Sequence, residues 1–241
     1  MLIELVADKN PTTFAFDVPV DAKEKGLSSV ALYSAGIWYT YHNIDRKYNN
    51  NILHFKQNGQ EDSIEFEGGM YDIPRLEESI LQHEGQRRTK FGFSFKEDFA
   101  TNRCILYTKS DCSVDFTKGE LGKLLGFEKK EYSEIYQLSE NVTNITNNTE
   151  RIFVSCDLVA DSYVSNYFGN VSSASVIYSF IPTQAPGSLL AINPNPVKFL
   201  PLKRQIIDSF TISITNQKGE LIPEEQLCAN GQSITISLVF S

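Results

Sequence analysis

Three histidines, four cysteines and a large excess of carboxylates are the groups in this sequence that could hold a metal or carry catalysis. Metal sites draw His and Cys from short, recurring spacings. His42, His54 and His83 stand far apart, and Cys104, Cys112, Cys156 and Cys228 form no Cys-x-x-Cys pair. Cys156 lies at an alternate position of an apolar run, Phe153–Val159, and reads as a small buried hydrophobe. His42 and Asn43 follow an apolar stretch and read as strand-end or loop residues. Among the carboxylates, Glu65, Glu67, Asp157 and Asp161 are close in sequence, but nothing in the spacing gathers two in a pocket. Asp157 reads as an outward-facing residue of a one-sided sheet. Gly119-Glu-Leu-Gly122-Lys123 lacks the spacing of a phosphate-binding loop and the hydroxyl residue after its lysine. Gln86-Arg-Arg-Thr-Lys90 reads as a solvated basic loop. The sequence therefore predicts no catalytic, cofactor-binding or metal-binding residue, and a protein that is not an enzyme.

Composition narrows the partners. The net charge is −8, and such a surface repels phosphate backbones, so specific nucleic-acid binding is not expected. Hydrophobic residues make up 41% and aromatics 12%, enough for a sizeable core. No apolar run approaches the roughly 20 residues of a membrane helix, so no membrane insertion is expected. The N-terminus has no basic segment before an apolar one, and the expectation is synthesis without a signal peptide, in a reducing, intracellular compartment. The sequons at Asn141, Asn144, Asn147 and Asn170 then read as parts of Asn/Thr/Ser-rich loops.

The elements that would position any site are mostly strands. Short apolar runs broken by Gly, Asn, Asp and Pro predict strands at 2–6, 14–18, 29–33, 37–41, 52–56 and 63–67. Asn58-Gly59 predicts a hairpin turn, since both residues tolerate positive φ. More strands follow at 90–96, 103–109 and 113–116, then at 152–159, 162–164, 174–181, 198–201, 206–215 and 233–240. Ile212 and Ile214 share one face of their run, as do Ile234, Ile236 and Leu238. One helix is predicted at about 73–84, with Asp72 as cap, Pro74 in the first turn and Gly85 at the exit. Its Ile73, Leu76, Ile80 and Leu81 form the apolar face, leaving Glu77, Glu78 and Glu84 as a solvated one. A second, short helical turn is predicted at about 118–125. Thr117 and Glu120 would form a capping box, Leu124 and Leu125 the apolar face, Gly126 the stop and Phe127 a buried anchor. The expected organisation is an N-terminal β portion, 1–130, a polar connecting loop, 131–150, and a C-terminal β portion, 151–241. The two portions together are compatible with a single sandwich.

The order of the later segments carries a resemblance. Leu121-Gly-Lys-Leu-Leu-Gly-Phe127, Ile152-Phe-Val-Ser-Cys-Asp-Leu-Val159 with Ser162-Tyr-Val164, and Val176-Ile-Tyr-Ser-Phe180 with Ala185-Pro-Gly187 stand in sequence. Phe199-Leu-Pro-Leu202, the run from Ile206 to Ile214, and Ser233-Ile-Thr-Ile-Ser-Leu238 complete the series. From about Gly68 onward the chain resembles the penton, or minor capsid, proteins of Polinton/Maverick elements and adintoviruses. Ser165–Ser173 is longer than the turn usual in that family, and Asn216-Gln-Lys-Gly219 replaces its Asp-rich turn.

The resemblance implies an all-β, jelly-roll-type antiparallel β-sandwich that forms pentamers at icosahedral vertices and contacts the major capsid protein. It also implies residence in the virion, after synthesis in the host-cell cytoplasm and assembly there or in the nucleus. The expected subunit interface comprises Tyr167 and Phe168 in one loop and Leu189, Leu190 and Ile192 in another, Pro182–Pro196. The alternative function is a sandwich module that binds a glycan or host receptor, since the same fold serves lectins.

Overall fold

The computed structural model describes residues 1–144, 151–160, 162–165, 171–184, 187–227 and 233–241. In chain order the strands begin with β1 (Leu2–Ala7), β2 (Thr12–Asp21) and β3 (Ser29–Trp38). Next come β4 (Ile52–Gln57), β5 (Gln60–Glu65), helix α1 (Ile73–Arg87), β6 (Phe93–Asp98), β7 (Arg103–Thr108) and β8 (Cys112–Asp115). Helix α2 (Leu121–Leu125), β9 (Glu131–Tyr132) and β10 (Tyr136–Leu138) follow, then β11 (Ile152–Cys156), β12 (Ser162–Ser165), β13 (Val171–Ala174) and β14 (Val176–Phe180). The last are β15 (Leu189–Ile192), β16 (Leu200–Pro201), β17 (Ile206–Asn216) and β18 (Ile234–Phe240).

The chain divides into two compact units, one built from Met1–Tyr41 and Asn148–Ser241, the other from His42–Asn147. This is not the division expected from sequence order. The first 41 residues belong with the C-terminal portion because their strands find their hydrogen-bonding partners there. The expected connecting loop, 131–150, contributes β9 and β10 to the second unit, while 145–150 lie outside the described residues.

In the first unit, strands pair first with last. β1 pairs with β18, β2 with β17, β3 with β15 and β11 with β14, all antiparallel, as one long ribbon. The ribbon wraps so that β18 also pairs with β3 and β17 with β11. Two sheets result, with orders β1-β18-β3-β15 and β14-β11-β17-β2. Eight strands wound in this way are a jelly roll, and the second unit is inserted between its third and fourth strands. The alternating residues behave as read: Ile234, Ile236 and Leu238 are buried, and so are Ile212, Ile214 and Cys156. The predicted strands at 29–33 and 37–41 are one strand, β3. An irregularity in its pairing with β18 accommodates the break in alternation.

The second unit has sheets β5-β4-β8-β9 and β10-β7-β6 and its own core. Phenylalanines join them: the Phe55 ring of β4 lies 5.0 Å from that of Phe93 on β6. Asn58 and Gly59 make the predicted hairpin turn, with φ of 53° and 76°. Helix α1 packs against edge strand β6, and Asp72 caps it by accepting from the Arg75 N–H. The helix passes Gly85 and ends at Arg88 in the left-handed region. Two of its carboxylates are not solvated as expected. Glu77 accepts from the Phe95 N–H at 2.8 Å, satisfying an amide on that edge strand. Buried Glu84 accepts from the Phe91 N–H at 2.7 Å and from Lys90 at 2.8 Å.

The second helical turn differs at its start. Asp115 captures both the N–H and hydroxyl of Thr117, so the capping box with Glu120 does not form. Gly126 ends the turn with φ 88°, and a Cβ there would meet the Asn141 carbonyl. Phe127 is buried as expected, stacked 5.0 Å from Phe116 and edge-on to Tyr132. Glu140 closes this hook by accepting from the Tyr132 hydroxyl and Lys130, each at 2.7 Å. Burial alone works against the Glu140 charge. The hydrogen bonds from Lys130 and Tyr132 outweigh it and hold the carboxyl below its usual range.

Two outcomes follow for the second unit. Glu84→Ala leaves the Phe91 amide buried without its acceptor and should lower stability by about 1–3 kcal/mol in denaturant melts. The lowered carboxyl of Glu140 contributes stability above the usual carboxylate range, and the contribution is lost as pH falls through that range. Acid titration of the wild type against Glu140→Gln should therefore show the two melts converging toward low pH.

Candidate assembly surface

Each sheet of the jelly roll turns its other face outward, and charge on both faces is gathered toward β1 and β2, at Glu4, Asp17 and Asp21. On β1 the outward residues are Leu2, Glu4 and Val6, and register places them beside Val239, Ser237 and Thr235 of β18. Across β3 the row continues with Ser34, Gly36 and Trp38, and on β15 with Ala191 and Leu189. Leu2 is 53% exposed and Val6 67%, so apolar groups flank a centre of small side chains. Close packing fixes the glycine: a Cβ on Gly36 would lie 2.6 Å from the Thr235 hydroxyl. Glu4 is the one ionisable group among these residues.

The opposite face, on β14-β11-β17-β2, is made of hydroxyls. Register aligns Thr13 with Thr211, Ser213 with Ser155, and Phe153 with both Thr215 and Ser179. Thr13 and Thr211 share a hydrogen bond of 2.9 Å. Asp157 sits just beyond the end of β11, where it accepts from the Thr211 N–H at 2.9 Å and meets Arg204 at 3.5 Å. Arg204 also donates to the Ser209 carbonyl.

At one side of the jelly roll, terminal strands β14 and β15 border a groove lined by Tyr178, Phe180, Ile181 and Pro182 on one wall and Leu190 and Ile192 on the other. A second groove of about 530 Å³ runs on past Val176 and Tyr178 to Pro196 and Lys198. Ile181, Phe199 and Leu189 are exposed nearby.

The expected interface residues divide. Leu189, Leu190 and Ile192 do not lie in an irregular loop; they form β15, paired with β3. Alternation then separates them: Leu189 is 44% exposed on the outward face, whereas Leu190 and Ile192, at 4% and 7%, are core residues. Those two meet the exterior as one wall of the groove beside β14. Tyr167 and Phe168 lie outside the described residues. Thr117, Glu120, Leu124, Leu125, Gly126 and Phe127 form the hook of the second unit described above. Sequence reasoning missed Leu2, Val6 and Trp38 as a shared surface. The signal was the alternation of β1, but only the pairing of β1 with β18 shows which side faces out.

The histidines are dispersed. His42 meets Asp45 at 2.9 Å, His54 lies opposite Asp115 in register, and His83 packs edge-on against Phe66. No group of three His, Cys, Asp or Glu side chains among the described residues is arranged to hold a metal. Burial pushes the Cys156 thiol up to about 12 and the Cys112 thiol up to about 11, and both are inert as nucleophiles. No helix among the described residues is long and apolar enough to cross a membrane.

No protein-family model matches the chain, and no curated protein matches it. Among solved structures it is similar to the penton protein of mavirus, with a TM-score of 0.54 over 100% of this chain and 98% of that one. The fold is that of a penton protein. Identity is 11%, so the likeness is one of strand order and architecture. In this penton fold the outward sheet faces and the β14–β15 side are the surfaces that the core does not consume.

Neighbouring leucines give the test of inside and outside. Leu190→Ala should lower stability by about 2–5 kcal/mol, the cost of a core cavity. Leu189→Ala should change it by less than about 0.5 kcal/mol. Paired urea melts check both.

Proposed function

We propose that this chain is a viral penton, a minor capsid protein of the Polinton/Maverick and adintovirus kind. In this reading it forms pentamers at icosahedral vertices, contacts the major capsid protein and resides in the virion. It is made in the host-cell cytoplasm, with capsid assembly there or in the nucleus. It works by geometry, without catalysis or a cofactor. The observation that supports this most is the end-to-end match to the mavirus penton protein, which spans both the jelly roll and the inserted unit. The outward faces agree, since away from β1 and β2 they carry little charge and a shell tile must be covered by neighbours on more than one side. An antiparallel sandwich suits that role because its rigidity comes from a continuous core and leaves the surface free for contacts.

One observation favours a second reading, a glycan- or receptor-binding module. On β10, exposed Tyr136 stands edge-on to Tyr107 at 5.6 Å and offers a single aromatic ring of the kind sugars stack on.

Light scattering on the purified protein, alone and with the major capsid protein, separates the two. Five times the monomer mass, with fivefold rings in negative stain, is the expected result. A protein that stays monomeric in both conditions and binds a glycan array through Tyr136 would replace the penton reading with the second.

A further inference from the structure

The two lateral sides of the jelly roll are built differently, and the difference points to how one copy meets the next. Groove contacts place terminal strands β14 and β15 at the same side. The other terminal strands, β1 and β2, are joined by the turn at Asp8–Pro11 and form the opposite side. Unpaired strand edges invite pairing with other chains, and proteins protect them with charges and proline. The β1–β2 side is protected in this way: Glu4 lies on β1, and Asp17, Pro19 and Asp21 on β2, all exposed. The β14–β15 side is not. Val176–Phe180 and Leu189–Ile192 contain neither a charge nor a proline.

Charge separates the sides as well. From Ser162 to Ile207 the sequence has no acidic residue. Exposed Lys198 lines the groove beside β14, and exposed Arg151 reaches Ser179 of β14 at 3.5 Å. Between residues 4 and 24, five exposed acids, Glu4, Asp8, Asp17, Asp21 and Glu24, outnumber Lys9 and Lys23. One side therefore offers an unprotected edge flanked by basic residues in an acid-free stretch of the sequence, and the other is predominantly acidic.

We infer that a second copy of this chain docks its acidic β1–β2 side against the β14–β15 side of the first. The contact is heterologous, because two different surfaces meet, and repeating it is what closes a cyclic ring. Opposite charges orient the approach and suppress contact between like sides. The exposed Ile181 and Leu189 lie beside the unprotected edges, where the neighbour would exclude water from them. The inference rests on the self-assembly proposed above and specifies its surfaces.

Charge exchange at exposed residues tests it. One variant carries Asp17→Lys with Asp21→Lys, and the other Arg151→Glu with Lys198→Glu. Each alone should associate about 10–100-fold more weakly than wild type by light scattering, since like charges then meet. Mixed, the two should co-associate into alternating pairs and open chains, because every contact between unlike variants is complementary, whereas a ring of five cannot alternate two variants without one like-charge contact. Raising the salt concentration should weaken both the wild-type and mixed assemblies. Unchanged thermal melts would show that each variant folds. Should wild type assemble while both variants assemble as well as it does, or should mixing restore nothing, these surfaces are not the interface and the penton reading survives. A wild type that remains monomeric with or without the major capsid protein overturns both.

Discussion

Pairing the first strand of the chain with its last is the constraint on which this structure depends. Leu2 lies opposite Val239 and Ala7 opposite Ile234, so β1 is held by residues from the far end of the sequence. The same nesting repeats inward through β2 with β17 and β3 with β15, and ends at β11 with β14. Once these four pairs form, wrapping the ribbon puts the apolar side of each strand into a shared interior. It also decides which side chains remain outside. Leu189 and Leu190 are chemically the same residue, and their different burial follows from β15 being paired at all.

The inserted unit obeys a different logic. Its strand pairs are mostly close in sequence: β4 with β5, β6 with β7, and β8 with β9. Its stability is concentrated in aromatic contacts and in carboxylates that satisfy backbone amides, such as Glu84 at Phe91 and Glu77 at Phe95. Charged side chains on α1 thus do structural work at the strand edge. Solvent would otherwise have to satisfy those amides, and it has little access to a buried site.

Much of this was legible in the sequence, and the remainder fails for identifiable reasons. Alternation in Ile234–Leu238 and Ile212–Ile214 gave the strand type and the inward face, because period-two burial is a local property. Asn58-Gly59 and Gly126 were legible because their turns need positive φ. Partner choice is not local, so the membership of residues 1–41 in the same unit as the C-terminal portion could not be read from periodicity. β15 escapes a periodicity reading because prolines flank it and its apolar run is only four residues long. The capping box failed through competition. Asp115, two residues before Thr117, takes the Thr117 N–H that Glu120 would have accepted, and the Glu120 N–H goes to the Asn49 carbonyl. Of the surface, exposed hydrophobics were visible as residue types, but only the sheet register gathers Leu2, Val6, Trp38 and Leu189 onto one face.

The nested pairing also sets an order of events during synthesis. β1, β2 and β3 leave the ribosome well before their partners β18, β17 and β15. Residues 42–147 emerge in between with their own strand partners at hand, so the guest unit can fold while its host waits. Throughout that wait the N-terminal strands are unpaired. Acids and a proline on β1 and β2 are the residue types that oppose strand-to-strand aggregation while such edges wait for β17 and β18.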